Sequence, residues 1–252
     1  MKRANLYRIL KYLLVALTRT EYVGSEYMPK QGGAIVATNH LSQLDTPLLM
    51  LNPARSDMTA LVTDKYQKFL FMRWFVTSAE GIWIDRTKAD FSAFRAAIET
   101  LRRGQPVGIA PEGTRSQTGG LLQGKPGTIL LALKANVPIV PVAITGTESG
   151  FRKIFTLQRP HFMARFGKPF LLPEISRDNR DEAMQMLSDE IMLQIAALLP
   201  PQYHGFYTGH PRIAEIQAEY ANLPEPTRVR IRTKWLEPQS GYIALKDSRT
   251  GQ

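Results

Sequence analysis

Residues 34 to 45 read Ala34-Ile35-Val36-Ala37-Thr38-Asn39-His40-Leu41-Ser42-Gln43-Leu44-Asp45, a short apolar run that breaks into a polar turn. Small and β-branched residues in continuous rather than alternating order mark a strand buried on both faces. Pro47 suits the first turn of a helix, where its missing N–H has no intrahelical partner, so a helix is expected from about Asp45 or Thr46. The stretch therefore spells strand, turn, helix.

Downstream the same phrase recurs. Thr59 to Thr63 is a second strand, followed by an aromatic helical stretch from Tyr66 to Val76. Gly81 to Ile84 is a third, and Phe91 to Arg103 is a helix with Phe94, Ala97, Ile98 and Leu101 on one face. Val107 to Ala110 runs into the turn Pro111-Glu112-Gly113; a helix at about 127 to 135 and a strand from Ile139 to Ile144 follow. Strands alternating with helices over short loops predict an α/β fold, a mostly parallel central sheet flanked by helices. After residue 150 the pattern thins to one strand, His161 to Phe166, and an amphipathic helix from Asp181 to Leu199, ended by Pro200-Pro201.

Upstream, residues 4 to 19 predict an amphipathic helix. Leu6, Ile9, Leu10, Leu13, Leu14 and Leu17 fall on one face at helical spacing, and Arg8, Lys11 and Arg19 on the other. No acidic residue precedes Glu21. A leucine face with a cationic back is the pattern of a helix that lies in a membrane interface; a helix packed on its own domain gives the same stripe. The organisation expected is an amphipathic membrane-associating segment over 1–30, an α/β domain over 31–200, and a polar extension of unknown role over 201–252. Within the last, a basic alternating stretch from Arg228 to Trp235 reads as an edge hairpin, a membrane-facing arm or a loose tail.

Composition narrows the function. The 252 residues carry 32 Lys and Arg against 22 Asp and Glu, a formal charge of +10, so an anionic partner is expected: nucleic acid, anionic lipid or a phosphorylated substrate. There are no cysteines, which excludes disulfides, thiolate metal sites and a cysteine-bound acyl intermediate. No apolar run approaches the ~20 residues needed to span a bilayer, and Lys11 interrupts any secretory signal. The expected location is the cytoplasmic face of a membrane, held peripherally or monotopically.

Four strand-end groups carry the chemistry. His40 follows a buried strand, at the edge where open sheets place ligands. Asp45, five residues on, can reach one ring nitrogen if the turn folds back, leaving the other nitrogen as a general base. Pro111-Glu112-Gly113-Thr114-Arg115-Ser116 reaches the same edge, with Arg115 offering a planar fork for phosphate. Asp85-Arg86 ends another strand, and Gly124-Lys125-Pro126-Gly127 places a lysine in a glycine-rich turn before a helix, a place suited to anions.

In this order the blocks resemble the glycerolipid acyltransferases, in particular the bacterial 1-acylglycerol-3-phosphate acyltransferases. Asn39 to Asp45 matches that family's asparagine followed by His-x-x-x-x-Asp. Gly81 to Arg86 matches its glycine-containing strand ending in arginine, and Glu112 to Arg115 its Glu-Gly-Thr-Arg. Val137-Pro138-Ile139-Val140-Pro141-Val142 matches its apolar block with proline. The resemblance spans about Gly32 to Ile144. It departs at Gly124, where family members often carry an aromatic residue, and the segment after Pro200 has no matched counterpart.

The resemblance implies direct acyl transfer from an acyl-CoA or acyl carrier protein thioester to the free hydroxyl of a lysophospholipid, with lysophosphatidic acid the leading acceptor. His40 is implied as the base and Asp45 as its orienting partner. Arg86, Arg115 and Lys125 are implied as phosphate ligands, with Glu112, Gly113 and Thr114 completing the acceptor pocket. Ser42 is expected to cap the local turn. No resident cofactor, no metal and no nucleic-acid partner is expected. Competing readings are the same chemistry on a glycolipid, an amino-lipid or glycerol-3-phosphate, and a non-catalytic basic protein that binds membranes or nucleic acid.

Overall fold

The computed structural model of the protein describes residues 3–88, 90–175 and 179–231. Helix α1 (Arg3–Leu17) leads into strand β1 (Arg19–Val23), and then β2 (Ile35–Thr38), α2 (Asp45–Met50), β3 (Thr59–Thr63) and α3 (Leu70–Ser78) follow. Next come β4 (Ile82–Ile84), α4 (Phe91–Arg102), β5 (Val107–Ile109), α5 (Gly127–Ala135) and β6 (Ile139–Thr145). The described chain finishes with α6 (Gly150–Phe155), β7 (His161–Phe166), α7 (Arg180–Leu198), α8 (Pro211–Ala221) and β8 (Arg228–Arg230).

The strands form one sheet in the order β4-β3-β5-β2-β6-β7-β1-β8. From β4 to β6 every neighbour is parallel. Beyond that block β7 runs antiparallel to β6, β1 parallel to β7, and β8 antiparallel to β1. The result is a mixed α/β fold with a central sheet flanked by helices. The pleat sends alternate residues of each strand to opposite faces. Ile35 and Ala37 of β2 meet Leu101, Ile129, Ile191 and Ile216 of α4, α5, α7 and α8 on one face. Val36 meets Leu6, Leu48, Phe75 and Ile154 of α1, α2, α3 and α6 on the other. Two helical layers with a buried sheet between them explain the continuous apolar strands.

The leucine stripe of α1 is divided. Leu6 is buried and Leu10 and Leu14 are half-buried against the second layer, whereas Ile9, Leu13 and Leu17 are exposed beside Tyr12. Arg3 clamps the start of the helix, bonding Glu80 and the Met58 carbonyl. The helix stops at Leu17, two residues short of the sequence expectation, because Thr18 turns its hydroxyl back to the Leu14 carbonyl and Arg19 begins β1.

Residues 201–231 pack on the domain. Leu121 exchanges main-chain hydrogen bonds with Tyr203 and Phe206, α8 lies against α7, and Arg228–Arg230 forms an edge strand on β1. The remainder of the basic stretch, 232–235, lies outside the described residues.

Candidate active site

The turns that follow β2, β4, β5 and β6 gather at the C-terminal edge of the parallel block. There His40 Nδ1 lies 2.8 Å from Asp45 Oδ2. The main-chain N–H groups of Leu41 and Ser42 donate to that same oxygen at 2.8 and 2.7 Å. Thr147 donates its hydroxyl to the other oxygen, Oδ1, at 2.5 Å. A buried carboxylate so supplied with donors is an acceptor, which puts the imidazole proton on Nδ1 and leaves Nε2 as the ring's free acceptor. The turn closes because Asp45 is at once the first residue of α2 and the acceptor for the loop that precedes it. Ser42 is buried, and its Oγ accepts from the Leu44 N–H, a local turn bond.

His40 is held by its backbone as well. Asn39 extends the β2–β6 ladder by one side chain, accepting from Ile144 N at 2.7 Å and donating to Ile144 O at 2.9 Å. Glu112 is buried, with Oε1 accepting from His40 N at 2.9 Å and Oε2 from Leu122 N at 3.0 Å. Ser116 N in turn donates to the His40 carbonyl at 2.8 Å. Burial pushes the Glu112 carboxyl up to about 7, against the two N–H donors, which pull it down; the Asp45 charge nearby adds to the rise.

In front of His40 lies a cleft of about 370 Å³ whose lining includes Arg86, Gly113, Thr114, Arg115 and Lys125. Leu61, Met72, Phe75 and Val76 give it an apolar wall. Arg86 Nη1 donates to the Gly113 carbonyl at 2.8 Å, and Arg115 Nη2 reaches the Tyr66 hydroxyl at 3.3 Å. Burial lowers the pKa of Arg86, and the Arg115 guanidinium adds to that shift. Gly113 sits at φ 70°, and a side chain there would press on Lys125 at 3.1 Å.

Lys125 stands on a turn gripped from behind. Its own N–H donates to Pro111 O at 2.9 Å, Gly124 N donates to the Tyr207 hydroxyl at 3.0 Å, and Gln185 Nε2 donates to Gly124 O at 3.0 Å. A Cβ on Gly124 would fall 2.7 Å from Ser188 Oγ and 2.8 Å from Met192 Cγ. Helix α7 occupies the space that an aromatic residue at 124 would need.

All the sequence-derived candidates therefore meet at one edge. Six of them line the cleft: His40, Arg86, Gly113, Thr114, Arg115 and Lys125. Asp45 and Glu112 stand behind His40, with their oxygens turned to it and to the main chain. Sequence reasoning missed Thr147, Tyr66 and Tyr207. Thr147 had a signal, since it follows the apolar strand β6 as His40 follows β2. Tyr207 had none, because it lies 83 residues from its partner Gly124.

Arranged this way, a histidine with a free ring nitrogen faces three cations across a cleft with one apolar wall. It can take a proton from a hydroxyl whose neighbouring phosphate the cations hold.

Residues 19–145 match a protein-family model described as Acyltransferase. A 1-acyl-sn-glycerol-3-phosphate acyltransferase of Borreliella burgdorferi is 30% identical over 132 residues, 52% of each chain. One of Saccharomyces cerevisiae is 29% identical over 198 residues, covering 74% of this chain and 62% of that one. Over the first such relatives the match spans 52% to 65% of their own length. The crystal structure of the 1-acyl-sn-glycerophosphate acyltransferase of Thermotoga maritima superposes with a TM-score of 0.57 at 24% identity, over 75% of this chain and 77% of that one.

Proposed function

This chain belongs to the acyltransferase family, and we propose that it moves a fatty acyl group from a thioester to the free hydroxyl of lysophosphatidic acid, giving phosphatidic acid. One observation carries the reading: the His40–Asp45 pair opens onto the same cleft as Arg86, Arg115 and Lys125. A hydroxyl next to a phosphate is the acceptor that such a cleft fits. The relatives whose names specify this acceptor support the choice.

In this mechanism Arg86, Arg115 and Lys125 bind the phosphate and so fix the glycerol hydroxyl near Nε2 of His40. The imidazole takes the hydroxyl proton as the oxygen attacks the thioester carbonyl carbon. Asp45 stabilises the imidazolium that forms, as in a serine-protease triad with the substrate's hydroxyl in the serine's place. The tetrahedral intermediate collapses with cleavage of the carbon–sulfur bond, and the proton passes from His40 to the departing thiolate of coenzyme A or acyl carrier protein. No enzyme nucleophile is required. The apolar wall of Leu61, Met72, Phe75 and Val76 suits an acyl chain.

The acceptor is a membrane lipid, so the protein must work at a surface. Among the described residues no helix is long and apolar enough to cross a membrane. The exposed Ile9, Tyr12, Leu13 and Leu17 of α1, with Arg8 among them and no acid in the helix, suit peripheral attachment to the cytoplasmic face of an anionic membrane. The test is product analysis by mass spectrometry with mixed acyl-CoA and acyl carrier protein donors and a panel of lysolipids. Transfer confined to lysophosphatidic acid and lost with His40 supports the reading; transfer to a different acceptor, or none that depends on His40, rejects it.

A further inference from the structure

Helix α6 starts beside the candidate site and ends, towards α1, in an exposed apolar tip. Its first residue, Gly150, packs against Leu44, the neighbour of Asp45, so closely that a Cβ would lie 2.6 Å from the Leu44 side chain. Its last turn carries Phe155, 82% exposed, and is followed by Leu157, 93% exposed; Phe151 is exposed as well. Ile154 anchors the helix inward.

The backbone makes Leu157 conspicuous. Gln158 N donates to Lys153 O at 2.8 Å and Leu157 N to Ile154 O at 3.0 Å, the paired bonds of a Schellman helix end. In that motif the residue at Leu157 must be left-handed, and it is, at φ 56°. Glycine is the unstrained choice there. Among the described residues the other non-glycine positions with positive φ are Glu80, which closes α3 with the same pair of bonds and reaches Arg3, and Asn136 and Asn179, whose side chains tolerate the region. A leucine held at this position and pointed at solvent is strained without packing in return.

The surroundings say what it meets. From Ser149 to Pro160 the chain has no acidic residue, and Arg152 is exposed between Phe151 and Phe155. Arg159 Nη2 donates to the carbonyls of Val15 and Thr18 at 2.6 and 2.8 Å, tying the tip to the end of α1 just past the exposed Leu13 and Leu17. Helices α1, α3 and α6 all pack into the same core layer, so their outward sides cover one side of the molecule. There α3 and the turn before it expose Phe69, Leu70, Phe71 and Trp74, and residues 65–79 carry Lys65, Lys68 and Arg73 with no acid. Asp64 and Asp85 share a groove with Lys68 and Phe69; within the two stretches themselves apolar side chains alternate with cations alone, a pattern that complements an anionic lipid surface.

We propose that the α6 tip, Phe151 to Leu157, is a second membrane anchor that inserts Phe155 and Leu157 into an anionic phospholipid bilayer alongside the end of α1. It acts with α1 and sets the distance of His40 from the lipid surface. The inference rests on the membrane-borne acceptor proposed above, and its test is independent of turnover.

Partition of the full chain is measured by co-sedimentation with vesicles of phosphatidylcholine alone and of phosphatidylcholine mixed with phosphatidylglycerol. The double variant Phe155→Ser, Leu157→Gly should bind both at least about tenfold more weakly, the loss of two inserted apolar side chains. Its thermal midpoint should stay level or rise, since glycine relieves the left-handed strain. Arg152→Glu should weaken binding only to the vesicles with phosphatidylglycerol. Wild-type partition by the double variant overturns the proposal. So does a dimer in solution that the double variant splits, since the tip would then cover a second copy of the chain. If acyl transfer proves absent while partition depends on Phe155 and Leu157, the anchor stands and the functional reading falls.

Discussion

Thr147 and Asp45 are 102 residues apart in the chain and share a buried hydrogen bond of 2.5 Å, from the hydroxyl of one to the carboxylate of the other. The bond joins the turn after β6 to the turn after β2 across two neighbouring parallel strands. With Leu41 N, Ser42 N and His40 Nδ1 on Oδ2, it fills the acceptor capacity of Asp45 from both sides. Asp45 is thereby fixed in rotamer, and through it the His40 ring is fixed against the cleft.

Thr147→Val keeps the shape and removes the donor. A hydrogen bond to a charged group contributes about 1.5–3 kcal/mol, so kcat for His40-dependent transfer should fall roughly tenfold or more with little change in KM. Thr147→Ser should restore most of the loss. Steady-state kinetics of the pair separate positioning from packing, because a packing role would leave serine as poor as valine.

His40→Ala removes the base itself. General-base catalysis contributes roughly 10²- to 10⁴-fold, so turnover should drop by at least that factor. Binding of lysophosphatidic acid, read by calorimetry, should persist because Arg86, Arg115 and Lys125 remain. Arg115→Ala should show the converse, a raised KM for the acceptor with a smaller effect on kcat. Equal kinetics for both variants would reject the division of roles.

Much of this arrangement was legible in the text of the chain. Buried parallel strands write themselves as continuous apolar runs, so Ile35–Thr38, Val107–Ile109 and Ile139–Thr145 stand out, and the turns after them point to one edge. What did not show depends on partners distant in sequence. Strand β1 contains the buried Glu21, whose partners Arg228 and Arg230 on β8 and His161 on β7 are more than a hundred residues away in the chain. The stripe of α1 looked single because periodicity gives a face and not its neighbours; the core takes Leu6, Leu10 and Leu14 and leaves Ile9, Leu13 and Leu17. Glu112 is implied by the resemblance only as part of the acceptor pocket, and the fold puts its oxygens on His40 N and Leu122 N.

Glu112 gives the protein a pH dependence of definite sign. Its folded pKa, about 7, lies above the ordinary value of 4.5, so the folded state holds its proton where the unfolded state releases it. Stability from this group is therefore full below about 4.5 and declines as pH rises to about 7, by up to about 3 kcal/mol at 1.4 kcal/mol per unit. Glu112→Gln cannot titrate and should lose that slope. It should also be less stable at low pH by about 1–3 kcal/mol, since one of the N–H groups of His40 and Leu122 then faces an amide NH₂. Denaturant midpoints of the two proteins from pH 4 to 8 should converge as pH rises; parallel curves would mean that Glu112 titrates in its ordinary range.

Tyr207 tests whether the segment after Pro200 serves the cleft. Its hydroxyl accepts from Gly124 N and donates to Asp189 Oδ1 at 2.6 Å, so it bridges the lysine turn to α7. Tyr207→Phe leaves the ring packed and strands the Gly124 N–H, at a cost of about 1–3 kcal/mol. The freed turn should let Lys125 wander, raising the acceptor KM severalfold while kcat stays within about twofold, because His40 and Asp45 are untouched. Gly124→Ala should loosen the same turn by collision with Ser188 and Met192 rather than by a lost bond. The two variants together should raise KM little more than either alone, because both act through one turn. Additive effects would place Tyr207 outside the acceptor site and reduce its role to packing.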